Sequence, residues 1–270
     1  MTEGLEIIIL SDAGALALEA ARRFVSIAAE AVARRGRFSV ALAGGSTPAG
    51  LYRLLARRPF REQVSWPDVL LYLGDERCVP PDDPRSNYRM IRETLLEGIA
   101  RRAPPPVRIP PPGLPPPESA AAYAGLLRRD FILRGAARPR FDLILLGVGD
   151  DGHTASLFPG MPSLDERRRL AVATDVPGYV LPSVPRITLT LPVLNAAARV
   201  MFLVSGTSKA PAVAAILNGP PGPPRYLRSG QVHGAAGAGE PEDPLPARRV
   251  RTRGGQVTWL LDTAAAAGLW

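Results

Sequence analysis

Six short stretches of this chain are almost wholly apolar rather than alternating: Leu5–Leu10, Phe38–Ala43, Val69–Leu73, Phe141–Leu146, Arg199–Val204 and Val257–Leu261. A strand that reads this way is buried on both faces, whereas a strand with one wet face alternates. Helical stretches separate the runs. The first, expected over Ala13–Arg35, is capped by Ser11 or Asp12 and carries arginines in its last turn. Strands joined by helical crossovers form a mainly parallel sheet. The expected fold is therefore α/β, an open, mainly parallel sheet with helices on both faces.

Two stretches break the pattern. Ala103–Pro117 holds nine prolines and is expected to run extended over the surface. Asn218–Pro246 is rich in Gly and Pro and reads as a mobile loop, not a linker, because a strand follows it. Residues 1–270 are thus expected to form a single domain. With 46% hydrophobic residues the chain can bury a large core. Its one cysteine, Cys78, cannot form an internal disulfide, which suits a reducing compartment. Met1–Leu10 lacks the basic and apolar regions of a signal peptide, and no run approaches the roughly 20 apolar residues of a membrane span. The expectation is a cytoplasmic protein without membrane partners, a monomer or a small homo-oligomer. The net charge of +8 is spread in small arginine groups, without a zinc-finger spacing or an aromatic RNA-binding strand, so nucleic acid is not the expected partner. A mildly positive field does draw in small anions.

In an open parallel sheet, ligands bind beyond the carboxyl ends of the strands. Four clusters fall there. Gly44-Gly45-Ser46-Thr47-Pro48 precedes a helix expected from about Ala49. Free N–H groups at such a start bind phosphate, although a plain strand-to-helix turn needs the same residue types. Gly74-Asp75-Glu76-Arg77 carries charges that are costly to bury unless paired, either in an ion pair that orders the loop or around a ligand. Asn87, in Ser86-Asn87-Tyr88, reaches a ligand hydroxyl or caps a helix. Gly147-Val148-Gly149-Asp150-Asp151-Gly152-His153-Thr154 is the sharpest signal. It contains G-x-G-x-x-G with Asp175 about 20 residues on, as a dinucleotide site requires. Pro159, Gly160 and Pro162, however, break the helix that the third glycine should open. His153 can accept a proton near neutral pH, and Asp151 is placed to orient it; the alternative is a histidine that packs and bonds the backbone. His233, in the Gly-rich loop, is a weaker candidate. The fourth cluster, Ser205-Gly206-Thr207-Ser208-Lys209, holds the chain's only lysine. A cation in a first helical turn opposes the macrodipole unless an anion sits there. Arg186 is a further anion candidate. No metal-ligand spacing and no G-x-S-x-G elbow occur, so a hydrolase here would use a histidine and water directly.

In this order, these clusters resemble the 6-phosphogluconolactonase family. The matching stretches are Ala43-Gly-Gly-Ser-Thr-Pro48, Gly74-Asp-Glu-Arg-Cys-Val-Pro80, Ser86-Asn-Tyr88, Phe141 through the Gly-Asp-Asp-Gly-His-Thr-Ala-Ser-Leu-Phe-Pro run to Gly160, Arg186-Ile-Thr-Leu-Thr190, Leu203 through Ala210, and Trp259-Leu-Leu-Asp262. The resemblance spans nearly the whole chain outside the two interruptions. It implies a Rossmann-like, glucosamine-6-phosphate deaminase-like sheet and a hydrolase of 6-phospho-D-glucono-1,5-lactone that needs no cofactor and no metal. In that reading His153 is general base on water, Asp151 orients it, and Arg77 or backbone N–H groups stabilise the oxyanion. Gly44, Gly45, Ser46, Thr47, Arg186 and Lys209 hold the phosphate, while Asp75 and Asn87 bond hydroxyls or position Arg77. The related deaminases carry Asp-Glu-Tyr where this chain has Asp75-Glu76-Arg77, and His-Ile-Ala-Phe-Asn-Glu-Pro where it has His153 to Pro159. Many lactonases carry a Ser-Pro-Lys-Pro lysine before the arginine matching Arg186. Tyr179–Pro185 has none here, which leaves the phosphate to Arg186, Lys209 or Arg77. The alternatives are a glucosamine-6-phosphate deaminase/isomerase, a nicotinamide-dependent dehydrogenase and a non-catalytic sugar-phosphate-binding module.

Overall fold

The computed structural model describes residues 4–104, 106–132, 139–218, 245–252 and 254–269. Its strands are β1 (Leu5–Leu10), β2 (Phe38–Leu42), β3 (Val69–Leu73), β4 (Asp75–Arg77), β5 (Leu143–Leu146), β6 (Ala171–Thr174), β7 (Arg186–Leu189), β8 (Arg199–Val204) and β9 (Gln256–Asp262). The helices are α1 (Ala13–Arg35), α2 (Ser46–Leu55), α3 (Phe60–Gln63), α4 (Asn87–Ile91), which runs through a π-turn into α5 (Glu97–Ile99), then α6 (Pro116–Ile132), α7 (Leu191–Leu194) and α8 (Ala210–Leu217).

All six apolar runs are strands of one sheet, in the order β1-β9-β8-β5-β2-β3. Every pair in it is parallel. The reason they do not alternate is visible along the strands inside β1, the edge strand, whose own Leu5, Ile7 and Ile9 are exposed. Val40, Leu71, Leu143 and Leu203 face α1 and α2, packing with Leu16, Phe24 and Leu51. Their neighbours Ala41, Tyr72, Ile144 and Phe202 face the other way, towards Tyr123 and Leu127 of α6 and Val213 of α8. Each fully buried Leu or Phe contributes about 1.5–3 kcal/mol. Asp12 caps α1 by accepting from the Ala15 N–H (2.9 Å), and Gly36 closes it in the left-handed conformation that glycine adopts freely.

A second, three-stranded antiparallel sheet, β4-β7-β6, lies outside the expected pattern. Its strands are three or four residues long. The proline-rich segment is also more structured than expected. Arg108 pairs with the outer edge of β3, donating to Leu71 O (2.8 Å) and accepting from Leu73 N (3.3 Å), so it shields a sheet edge. Its last prolines, Pro116 and Pro117, open α6, where the missing N–H costs nothing. Of the expected loop 218–246, residues 219–244, with His233, lie outside the described residues; Leu245 is buried and Pro246 begins a 3-10 turn. Among the described residues, no helix is long and apolar enough to cross a membrane.

Candidate active site

The loops after β2, β3, β5 and β8 meet over the carboxyl edge of the sheet. They enclose a cleft of about 270 Å³ lined by Gly44, Gly45, Asp75, Arg77, Asn87, His153, Arg186 and Lys209. A larger cavity of about 530 Å³ lies between Pro81, Tyr88, Leu96, Val107 and Ile109. No carboxylate, histidine or cation lines it among the described residues, so chemistry belongs to the smaller cleft.

The cleft's backbone is pinned from below. The buried Tyr52 hydroxyl accepts from Ala43 N (3.0 Å) and donates to Ala43 O (2.8 Å), and Tyr123 donates to Leu73 O (2.7 Å). Gly44 has to be glycine, because a Cβ there would lie 1.9 Å from Asn87 Oδ1. The helix after it starts at Ser46, three residues earlier than expected, with Gly45 as an N-cap that makes no side-chain bond. Ser46 and Thr47 therefore do not cap it. Ser46 is exposed, and the Thr47 hydroxyl meets Ser205 Oγ at 3.3 Å, joining the first cluster to the fourth.

His153 and Asp151 form a tight pair. The ring Nδ1 lies 2.6 Å from Asp151 Oδ1, which also accepts from the His153 backbone N–H (3.0 Å). The loop folds back on itself through Gly149 N to His153 O (2.8 Å) and Gly152 N to Gly149 O (3.0 Å). A Cβ on Gly149 would lie 2.0 Å from His153 Nδ1, so glycine here leaves room for the ring. Phe158 backs the imidazole, ring centroids 4.5 Å apart. Burial works to raise the Asp151 carboxyl, but the hydrogen bond and charge of His153 outweigh it, and the group sits below the usual carboxylate range.

Three adjacent residues of β4 divide their tasks. Glu76 turns away from the cleft and accepts four bonds, from Arg77 N, Asn87 N, Tyr88 N and Ser86 Oγ (2.7–2.9 Å). Burial pushes its carboxyl up, and the four donors only partly restrain this. Asp75 accepts from Ser156 Oγ (2.6 Å) and more weakly from Asn87 Nδ2 (3.3 Å). Neither acid is ion-paired among the described residues, which corrects the loop-ordering ion pair. Arg77 donates from Nη1 to Arg85 O (2.5 Å), leaving its buried Nε unpaired. Asn87 is not the cap of α4; Ser86 is, and the Asn87 amide donates to Asp75 O (3.0 Å).

Arg186 is 4% exposed, and its Nε has no partner. Its guanidinium lies 5.5 Å from the Phe158 ring centroid. Burial drives its pKa down, against the attraction of Asp75. Lys209 reaches the cleft from the 3-10 turn before α8 and donates to Asp150 Oδ1 (2.6 Å), joining the fourth cluster to the third. Sequence reasoning does not single out Ser156 or Tyr179. Ser156 is visible beforehand only as one polar residue in the long Gly-Asp-Asp-Gly-His run. Tyr179, whose hydroxyl donates to Asp151 Oδ2 (3.0 Å), has no local signal beyond the nearby Pro177-Gly178 turn. No group of three or more His, Cys, Asp or Glu side chains among the described residues is arranged to hold a metal.

A buried, unpaired cation and an oriented imidazole at a parallel sheet's carboxyl edge define an α/β protein with a cleft for a small anionic ligand. The chain belongs to the family of glucosamine-6-phosphate isomerases/6-phosphogluconolactonase, whose model matches residues 11–259. It is 36% identical to the 6-phosphogluconolactonase of Streptomyces coelicolor, over 100% of this chain and 96% of that one. It is 39% identical to that of Homo sapiens, over 86% and 81%. A solved structure of 6-phosphogluconolactonase from Trypanosoma cruzi superposes with a TM-score of 0.80, at 29% identity over 100% of this chain and 98% of that one.

Proposed function

We propose that this chain hydrolyses 6-phospho-D-glucono-1,5-lactone to 6-phospho-D-gluconate, the second step of the oxidative pentose phosphate pathway. The observation that carries the reading is the 2.6 Å Asp151–His153 pair in a cleft shared with the unpaired Arg186. With Nδ1–H given to Asp151, Nε2 is the acceptor nitrogen. It takes a proton from water as the water oxygen attacks C1. Negative charge gathers on the carbonyl oxygen, where Arg77 and backbone N–H groups stabilise it. The C1–ring-oxygen bond then breaks, and Nε2 returns its proton to the departing oxygen. Asp151 remains ionised and holds the imidazolium. Arg186 and Lys209 bind the phosphate, which carries roughly two negative charges at neutral pH. Gly44 and Gly45 let the backbone approach it. Ser46 and Thr47 take part through N–H groups of the first turn of α2, not through their hydroxyls. Asp75 and Asn87 bond sugar hydroxyls.

We further take residues 1–270 as one catalytic unit working in the cytoplasm, alone or as a small homo-oligomer. Pairing of the first strand with the last, Leu5 beside Val257, supports a single unit. The test generates the lactone in place with glucose-6-phosphate dehydrogenase and reads the opened acid with 6-phosphogluconate dehydrogenase. A rate well above spontaneous opening is expected. A rate equal to the protein-free control, with ammonia released from glucosamine 6-phosphate, would replace the reading by a deaminase.

A further inference from the structure

We propose that Tyr179, at the tip of the β6–β7 hairpin, is a positioning residue for the Asp151–His153 pair. The inference rests on the reading of His153 as the base. Asp151 has two oxygens with different duties. Oδ1 takes both bonds from His153, one from the backbone and one from the ring. Those two bonds leave the carboxylate free to pivot about Oδ1. The Tyr179 hydroxyl donates to Oδ2 (3.0 Å) and removes that freedom. An imidazole held by a fixed carboxylate keeps one orientation and one tautomer.

The hairpin is built to present this hydroxyl. Residues 175–185 link two antiparallel strands, with prolines at 177, 182 and 185. Val180 N bonds Pro177 O (2.9 Å) and Val184 N bonds Pro182 O (2.9 Å), which fixes the tip. Cys78 N bonds Pro185 O (2.9 Å), which ties its base to the strand carrying Asp75 and Arg77. Arg186 follows at once. One hairpin thus carries both the buried cation of the cleft and the hydroxyl behind the base. Burial and the Asp151 charge push the phenol up to about 12, so it stays a donor through the neutral range. Tyr179 is 65% exposed, so its bond adds little to stability and its effect falls on the pair it touches.

The test compares the full-length protein with Tyr179→Phe, which removes only the hydroxyl, and Tyr179→Leu, which removes the ring as well. Both should lower kcat by about tenfold, short of the roughly hundredfold loss that a 1 Å misplacement produces. KM and thermal midpoint should stay close to wild type. The NMR signal of the His153 Nδ1 proton should exchange with water several-fold faster in both. Wild-type kcat in Tyr179→Phe overturns the proposal, whatever Tyr179→Leu does, because the ring alone then suffices. If the wild-type protein shows no rate above spontaneous opening, the lactonase reading fails by itself. The exchange rate then decides alone whether Tyr179 holds the pair, an unchanged rate overturning it.

Discussion

The two ends of the parallel sheet treat buried charge in opposite ways. At the amino end, Asp142 enters β5 with 6% exposure and is fully engaged. It accepts from Ser39 N (2.7 Å), Ser39 Oγ (2.8 Å) and Arg35 Nη2 (2.5 Å). At the carboxyl end, Asp75 is equally buried but meets only neutral donors, and the Arg186 Nε meets none. Taking a charge out of water costs several kcal/mol unless a partner and hydrogen bonds offset it. The amino end is closed upon itself and serves the fold. The carboxyl end ties Lys209 to Asp150 but leaves the buried Asp75 and Arg186 without an ion pair among the described residues, an arrangement that an anion with hydroxyl groups would complete.

The sharpest way to break this contrast is one substitution at each end. His153→Ala should lower kcat by about 10²–10⁴, the usual worth of a positioned base, with little change in thermal midpoint. Asp142→Ala should do the reverse. It strands the buried Ser39 N–H and hydroxyl, at about 1–3 kcal/mol, while Arg35 is exposed enough to turn to water. The folded protein should keep its kcat within about twofold, since no residue of the cleft touches Asp142. Urea unfolding and the coupled assay on both variants settle it. Loss of kcat in Asp142→Ala at full stability would mean that the two ends are not separable.

How far this contrast was legible beforehand depends on how local its causes are. Five of the six sheet strands were legible because burial on both faces leaves a continuous apolar run; β1 reads the same way, yet its Leu5, Ile7 and Ile9 are exposed, which corrects the expectation for that edge strand. α1 was legible because Ser11-Asp12 and the arginines of its last turn mark its ends. β4, β6 and β7 were not. Their pairing joins Asp75–Arg77 to Arg186–Thr188, and nothing near either segment encodes the other. That omission hid the roles of the acids. Side chains alternate along a strand, so once β4 is known, Asp75 and Arg77 share a face towards the cleft while Glu76 points back to the α4 N–H groups. His153, Asp151 and Lys209 were found because topology places ligands after the strands, whereas Arg186 was picked out only as a cation just before the apolar Ile187–Leu191 stretch and proves to open β7. Ser46 and Thr47, like His153, were found from their place after a strand, but neither lines the cleft, and the Thr47 hydroxyl meets Ser205 instead. Tyr179 comes from a loop between strands that were themselves unseen.

A smaller effect sharpens the picture at Arg186. Arg186→Met keeps an unbranched side chain beside Phe158 and removes an unpaired buried charge. Loss of a phosphate contact from a desolvated cation should lower kcat/KM by about 30-fold or more, since such truncations cost about 2–5 kcal/mol. Stability should rise, because the charge had no hydrogen-bond partner at Nε. A lower urea midpoint in Arg186→Met would show that the cation already has its counter-charge within the fold, and the cleft would lose its claim to an anion.

The smallest effect is in the acid range. Among the carboxyls that lie below their usual values, Glu6 and Asp151 do so for different reasons. Glu6 is held down first by its hydrogen bond from Arg23, a permanent cation, with burial opposing. In Asp151 burial is the larger influence, and it is outweighed by the hydrogen bond and charge of His153. A carboxyl with a lowered folded value adds stability that is full above its unfolded pKa, about 4, and lost as pH falls through the folded value. Both groups therefore weaken the fold in acid. Each is partly exposed, so each contribution stays under about 1 kcal/mol. The difference appears when His153 is removed. In a His153→Ala background, the stability gap between Asp151 and Asp151→Asn should shrink less between pH 6 and pH 3.5, because the ring bond and charge that lowered Asp151 are gone while the backbone N–H of position 153 and the Tyr179 hydroxyl remain. The gap for Glu6→Gln should shrink as before. Urea midpoints at the two pH values measure both. If the Asp151 gap keeps its full pH dependence without the His153 ring, the backbone N–H of position 153 and the Tyr179 hydroxyl suffice to hold Asp151 down, and the pair is less exclusive than its 2.6 Å contact implies.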